Sequence, residues 1–363
     1  MTAARATLPE QASRAELVSI VDEDIAEVAN FIASQSGRTG EKVEAHLRWF
    51  LLENPALQPQ HPLGFGLRSA GQLVGCILCS PQAFRFRNER ILMMGSSMFY
   101  VDARHRGHGG RIFLQYSRLG KRWPLFGTSA NAEAAALWRS AGANPIPYSD
   151  GELFGILRWA PVLEEFAHRR KVNRAFFRLA GSSLPKLAGL LRRLKIDSST
   201  VDALQPLTSA EQVNDLLTDH PSAKLTAMRD TSYIRWRYFS GRDATVRVFS
   251  FRCRKPDREI FIAVNQRTRG YRSQIKTLNV LDVYPEVSVE EWLRIIGALV
   301  ARYTETVDAI VLRSQDLARH QIFCERGFQR RMFSAPNGWF LDKFSPLPTR
   351  DWYPVPADGD GLI

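Results

Sequence analysis

The chain has 363 residues, 45% of them hydrophobic and 24% charged, with a formal net charge of +12. That composition excludes a disordered or fibrous protein, and the length accommodates two domains. Met1 to Ser13 lacks the apolar core of a signal peptide, and no run approaches the roughly 18 apolar residues of a membrane span, so a cytoplasmic protein is expected.

The positive charge is local. Residues 161–196 hold nine basic side chains against Glu164 and Glu165, which argues for one basic element and against a protein-wide nucleic-acid surface. Of the four cysteines, Cys76 and Cys79 form C-x-x-C. They lie in an apolar strand-like run, where positions three apart face opposite sides, so they read as buried structural thiols.

Glu16 to Phe50 reads as two helices broken at Gly37 and Gly40. Gly64 to Leu67 and Gly71 to Ser80 form a hairpin turning at Ser69-Ala70-Gly71, and Ile91 to Val101 is a further strand. A basic glycine loop, Arg104 to Gly110, leads into a helix over Ile112 to Leu119. A short strand at Phe126 to Ser129, a helix at Asn131 to Ala141 closed by Gly142, and a strand at Glu152 to Trp159 complete the first half.

A comparable order returns after residue 208. Helices are expected over Ser209 to Leu217 and Thr231 to Tyr238, and strands over Thr245 to Arg252, Glu259 to Asn265 and Gln274 to Val283. Helix Val289 to Tyr303, strand Ala309 to Arg313 and helix Asp316 to Arg326 follow, then a final strand pair around Met332 and Trp339 to Phe344. The repeated order predicts an α+β protein built by divergent duplication.

The segment that carries chemistry is Tyr100-Val101-Asp102-Ala103-Arg104-His105-Arg106-Gly107-His108-Gly109-Gly110-Arg111. A strand runs into three glycines and a cluster of basic and imidazole groups, and a helix begins at once. Bare backbone N–H groups and a helix N-terminus suit an anion, most naturally a phosphate. The dinucleotide pattern G-x-G-x-x-G fails at Ile112, and a Walker loop ending at Gly120-Lys121 fails at Gln115 and Arg122.

The pattern R-x-x-G-x-G is met by Arg104, Gly107 and Gly109. It resembles the pyrophosphate loop of the GNAT (GCN5-related N-acetyltransferase) superfamily. The family's second helix, N-x-x-A-x-x-L-Y-x-x-x-G, is matched by Asn131, Ala134, Leu137 and Gly142, with Trp138 in place of tyrosine.

The resemblance implies two GNAT-like mixed-sheet domains in tandem, joined by a helical connector. Residues 1–15 are then a flexible N-terminus, 16–160 the acyl-CoA-binding domain, 161–207 a basic connector, 208–345 a degenerate second domain and 346–363 a loose tail. It implies acetyl-CoA or another acyl-CoA as co-substrate and no metal. The cofactor would be held by Phe99, Val101, Arg104, His105, Arg106, Gly107, His108, Gly109, Gly110, Arg111 and Asn131, with a backbone N–H of strand end 99–101 facing the thioester oxygen. The acceptor would be a small-molecule or saccharide amine.

The proton chemistry is less evident. Trp138 cannot give up its indole proton at useful pH, so the catalytic groups stay open, with Ser97, Glu133 and Tyr148 as candidates and Tyr100 behind them. In the second half the loop Tyr284 to Glu291 has no glycine. Its carboxylates at a helix start would repel a pyrophosphate, so that half is not expected to bind CoA.

Arg235 and Arg237, set among Tyr233, Trp236 and Tyr238, either read a substrate or pack over the aromatics. The connector's Leu184, Leu187, Leu191 and Leu194 stripe either packs on the domains or touches an anionic membrane surface. Two other functions remain open. One is an aminoacyl-tRNA-dependent transferase of the duplicated fold, which would not need the glycine loop. The other is a non-catalytic CoA-binding protein, which the absent tyrosine allows.

Overall fold

A computed structural model describes residues 15–87, 89–147, 149–169, 204–214, 224–241, 243–254, 257–270, 274–313 and 317–342. Most of the expected connector, Tyr148 and the expected tail lie outside the described residues. The chain forms two compact units, the first made of residues up to 81 with 94–125, the second of 82–93 with the residues from 126 onward.

In the first unit β1 (Glu16–Ile20) runs antiparallel to β2 (Gly64–Ser69), Leu17 facing Leu67. The expected helical start at Glu16 is thus corrected. Val18 and Ile20 are β-branched and favour a strand, and α1 (Ile25–Ser36) begins only after the acidic turn Asp22–Asp24. Helix α1 buries Ile25, Val28, Ala29 and Ile32 and stops at Gly37, whose φ of 70° is left-handed; α2 (Gly40–Leu47) follows. The hairpin from β2 to β3 (Gln72–Phe86) turns through Ala70 and Gly71, with φ of 49° and 79°. Two consecutive left-handed residues match the twist of the flanking strands.

β4 (Glu89–Val101) completes the order β1-β2-β3-β4, and α3 (Gly109–Ser117) packs on these strands. A Cβ on Gly75 would lie 2.8 Å from Ile112 Cδ1, so the bare glycine of β3 lets α3 sit close. The buried Tyr116 hydroxyl donates to the Met94 carbonyl at 2.8 Å. These two contacts fix the helix whose first turn carries the glycine loop. Cys76 and Cys79 are buried and free; burial pushes the Cys76 thiol up to about 12 and the Cys79 thiol further.

His61 gives this unit a pH-dependent stability. Its ring is buried, Nδ1 accepts the Gln58 N–H at 3.1 Å, and Trp123 stands edge-on with ring centres 5.3 Å apart. The proton therefore sits on Nε2, and burial holds the imidazole below its ordinary value of 6.5. A depressed histidine is neutral in the fold while the unfolded chain takes up the proton. Its contribution is complete above the unfolded value and fades as pH falls toward the folded one. The melting temperature is expected to drop between pH 7 and pH 5. His61→Asn, whose Oδ1 can accept the same N–H without titrating, is expected to flatten that slope.

In the second unit β5 (Leu125–Gly127), β15 (Trp339–Leu341) and β6 (Asn144–Pro145) are consecutive neighbours. β9 (Thr226–Ala227) pairs with the end of β3, Ala227 facing Phe84. Phe84, Met93, Phe126, Ile146, Leu225 and Phe340 form the core there. α4 (Ala132–Ser140) and α5 (Trp159–Arg169) belong to the same unit.

The seven-stranded sheet has the order β14-β7-β13-β12-β11-β10-β8. These are Gln329–Met332, Gly151–Ile156, Ala309–Leu312, Ile275–Tyr284, Asp257–Arg269, Val246–Arg254 and Leu204–Leu207. Only β12 and β13 run parallel; the other adjacent pairs are antiparallel. α6 (Glu211–Asn214), α7 (Thr231–Tyr238), α8 (Val289–Tyr303) and α9 (Leu317–Glu325) complete the unit. Trp292, Ile295, Ile296 and Leu299 of α8 pack with Leu153, Leu278, Ile310 and Leu312 of the strands.

Two strands depart from chain order. β7, expected to close the first half, lies between β13 and β14 in the seven-stranded sheet, while β15 sits beside β6. The expected final pair around Met332 and Trp339 is therefore corrected, because β14 pairs with β7 and β15 with β6. The intervening turn is held by Ala130 N–H to Asn337 O, Ile146 N–H to Gly338 O, and Trp339 Nε1–H to Pro336 O at 2.8 Å.

Candidate functional site

The sequence-predicted loop sits where β4 ends and α3 begins. Ala103–His108 is a tight 3-10 turn, and α3 starts at Gly109, three residues before the expected Ile112. Asp102, given no role by sequence, organises the turn. Its Oδ1 accepts the Arg104 backbone N–H at 2.9 Å and the Arg104 Nε–H at 3.3 Å. The first of these bonds leads in holding the Asp102 carboxyl below its ordinary value. His105 Nδ1 lies 3.5 Å from the same oxygen, at the far limit of a hydrogen bond, and the His105 and His108 rings are 6.5 Å apart.

None of Gly107, Gly109 and Gly110 has a left-handed φ, so the backbone does not require glycine at any of them. A Cβ on Gly107 or Gly110 would meet nothing within 4 Å, and one on Gly109 would make ordinary contacts with Val101 Cγ2 and Phe99 Cζ at 3.6 and 3.7 Å. Glycine weakens a helix by about 0.5–1 kcal/mol relative to alanine, and neither conformation nor packing offsets that cost here. What Gly107 and Gly110 supply is bare backbone at the start of a helix, with open space beside it, while Gly109 is buried against Val101 and Phe99. No side chain caps α3; the Gly109 N–H donates to the Arg106 carbonyl of the preceding turn, and the N-terminal end of the helix dipole adds positive potential beside that space.

The helix after β12 in the seven-stranded sheet provides an internal contrast. Ser288 Oγ accepts the Glu291 N–H at 3.2 Å, and Glu291 Oε2 accepts the Ser288 N–H at 2.7 Å. Glu291 also binds Arg258 at 2.7 Å. The chain's own carboxylate fills the place an anion would take, which is the physical basis for expecting no CoA there.

The other predicted residues divide by burial and partner. Arg104 is 86% exposed and Arg106 is exposed, so both can reach a ligand. Arg111 Nη1 donates to Ala15 O at 3.0 Å and ties down the start of the described chain. Asn131 Oδ1 accepts the Ala134 N–H at 2.8 Å as the N-cap of α4, and Glu133, exposed in the first turn, suits the same helix's dipole. Ser97 is buried in β4. Trp138 is buried in the core, so the position where family members carry a tyrosine is filled by packing. Tyr148 lies outside the described residues.

Arg235 and Arg237 do not face a common site. Arg235 pairs with Glu211 at 2.7 Å, which holds the exposed Glu211 carboxyl down at about 2. Arg237 is buried, with its guanidinium 5.5 Å from the centre of the Trp236 ring.

One further feature was invisible in sequence. Met98, in β4 just before 99–101, has a φ of 48°. A left-handed non-glycine residue costs on the order of 1–2 kcal/mol and offsets strand alternation beyond it. The strand end leading into the loop is therefore held in an uncommon conformation. Among the described residues no cluster of His, Cys, Asp and Glu is placed to hold a metal, and no helix is long and apolar enough to cross a membrane.

No protein-family model and no curated protein matches the chain. Solved structures do. A GCN5-related N-acetyltransferase from Anabaena variabilis is 13% identical with a TM-score of 0.58, over 91% of this chain and 73% of that one. A probable N-acyltransferase from Enterococcus faecalis is 12% identical with a TM-score of 0.56, over 93% and 74%. Saccharomyces cerevisiae N-myristoyltransferase with bound myristoyl-CoA is 12% identical with a TM-score of 0.55, over 95% and 82%. The chain has the GNAT fold, an α+β architecture with two mixed sheets.

Proposed function

We propose that this protein is an acyl-CoA-dependent N-acyltransferase that carries acetyl from acetyl-CoA to an amine, with the CoA pyrophosphate held at residues 104–111. The observation that carries the reading is the uncapped start of α3 beside open space, lined by glycines that the fold does not itself require. Backbone N–H groups of the first turn of α3 beyond Gly109 donate to the pyrophosphate, and the helix dipole adds to them. Arg104, steered by Asp102, and Arg106 contribute positive charge at the solvent edge.

Coenzyme A supplies a thioester, an acyl group on a leaving thiol. A backbone N–H of strand end 99–101 is the donor for the oxygen that becomes negative during attack. With Trp138 in the core, no tyrosine stands in its position to protonate the departing sulfur. A thiol leaves near neutral pH as a thiolate with an ordinary pKa of about 8.5, so solvent protonation suffices. The harder task is deprotonating the attacking ammonium, which favours amines that are already partly neutral. An amine acceptor, small molecule or saccharide, fits that requirement.

The test is a calorimetric titration of the full chain with acetyl-, octanoyl- and myristoyl-CoA, followed by turnover against an amine panel with free thiol as the readout. Binding and turnover with acetyl-CoA are expected. Turnover restricted to long-chain donors overturns the acetyl assignment. Binding without turnover on any amine identifies a CoA-binding protein, and no CoA binding at all removes the reading.

A further inference from the structure

A cluster of arginines around one buried carboxylate lies in the seven-stranded sheet, within the second unit. Glu152 of β7 is buried, its side chain 1% exposed. Arg331 of β14 stands opposite it in register, and Arg313 follows Leu312, the β13 partner of Leu153. Glu152 Oε1 accepts from Arg269 Nη1 at 2.8 Å and from Arg331 Nη1 at 3.2 Å. Arg313 Nε lies 3.9 Å from Oε2, and that oxygen has no hydrogen-bond donor among the described residues.

The three arginines are oriented as well as gathered. Arg269 Nη2 donates to Asn279 Oδ1 at 2.8 Å, and Asn279 Nδ2 donates to Asn265 Oδ1 at 2.9 Å. A polar track thus crosses the sheet and ends at the guanidinium groups. Arg313 is held 5.9 Å from the centre of the Phe333 ring. The neighbouring acid, Asp150, is engaged by Arg330 at 2.9 Å.

Arg269 and Arg331 divide one carboxylate oxygen between them, so a single negative charge serves these two guanidinium groups. The side chains of Arg269, Arg313 and Arg331 are 28%, 35% and 57% exposed, so solvent reaches the cluster. Guanidinium groups prefer oxyanions, and a tetrahedral anion can accept from several at once where a planar carboxylate is saturated by fewer. Glu152 and Asn279 act as positioning residues that hold the forks in place.

We propose that Arg269, Arg313 and Arg331 form a binding site for a phosphate-bearing ligand, separate from the loop at 104–111 and independent of the acyltransferase reading. The experiment titrates inorganic phosphate into the full chain at constant ionic strength, with chloride as the balancing salt, followed by calorimetry. The parent carries Gly107→Glu and Gly110→Glu, so that phosphate cannot report the first loop. One saturable site is expected in that parent, weakened about tenfold or more by Arg331→Gln and by Arg313→Gln. Arg331 is more than half exposed, and an unchanged melting temperature in phosphate-free buffer certifies that its variant is folded. Equal affinity in parent and both variants, or no saturable binding in the parent, overturns the proposal.

Discussion

Gly107→Glu and Gly110→Glu are each expected to leave the fold as stable as the parent or more so, and to weaken acyl-CoA binding at least about a hundredfold. The two halves of that result come from the same geometry. A side chain at either position projects into space with no atom within 4 Å of its Cβ, so nothing in the fold must move. At position 110 a non-glycine residue favours helix by about 0.5–1 kcal/mol, and a carboxylate in the first turn adds about 0.3–1 kcal/mol against the dipole. That carboxylate then stands where the pyrophosphate must go. A hundredfold loss corresponds to about 2.8 kcal/mol, within reach of lost charge-assisted hydrogen bonds and added repulsion. Melting curves and calorimetry on the same samples check both halves. If the loop were an ordinary turn, the stability gain would appear and CoA affinity would not change.

This substitution would make α3 resemble α8, whose first turn already contains Glu290 and Glu291. The contrast between the two helices was legible in sequence, because it depends on residue types adjacent in the chain. Glycines with basic residues after one strand and glutamates after the other state opposite local electrostatics. The same locality explains why the α4 pattern from Asn131 to Gly142 could be read, although Asn131 proves to be a helix cap. Asp102 was adjacent too, and its spacing two residues before Arg104 is the signal that could have revealed an Asx-type turn.

Other features depend on residues far apart in the chain and left no local mark. β7 carries the same apolar pattern whichever sheet receives it, and only its ladder to β13 and β14, over 150 residues away, shows where it belongs. Met98 has no composition signal for a left-handed strand residue. Arg235 and Arg237 lie two apart in the chain yet reach opposite fates, one paired at the surface and one buried. Their common aromatic neighbourhood suggested a site that the packing does not assemble. The Glu152 cluster likewise joins residues from three strands and the segment after a fourth, none of which stood out in its own segment.

The largest stability effect is expected at another such cluster. Asp282 and Arg229 are 0% and 1% exposed and meet through two hydrogen bonds, of 3.0 and 3.2 Å. Tyr238 donates its hydroxyl to Asp282 at 2.7 Å, and Arg229 also donates to the Ala227 carbonyl. The network links β12, α7 and the segment after β9, while the Tyr233 and Tyr284 rings flank the guanidinium at 5.9 and 5.7 Å. Burial, followed by the neighbouring Asp282 charge, pushes the Tyr238 hydroxyl well above its ordinary value, so it remains a donor at any working pH.

Asp282→Ala leaves a buried guanidinium without its counter-charge, and breaking such a pair costs about 3–5 kcal/mol. Against a typical total of about 5–15 kcal/mol, that loss shows as a large fall in denaturation midpoint or as failure to accumulate folded protein. Tyr238→Phe, which removes one donor and no charge, is expected to cost about 1–2 kcal/mol and to remain measurable. Because most of the penalty belongs to the stranded charge, Arg229→Met combined with Asp282→Leu should recover much of the stability lost in Asp282→Ala. A double variant no better than the single one would mean that the pair stabilises this unit through its own attraction. A cost below about 1 kcal/mol for Asp282→Ala would show that solvent reaches Arg229 when its partner is removed.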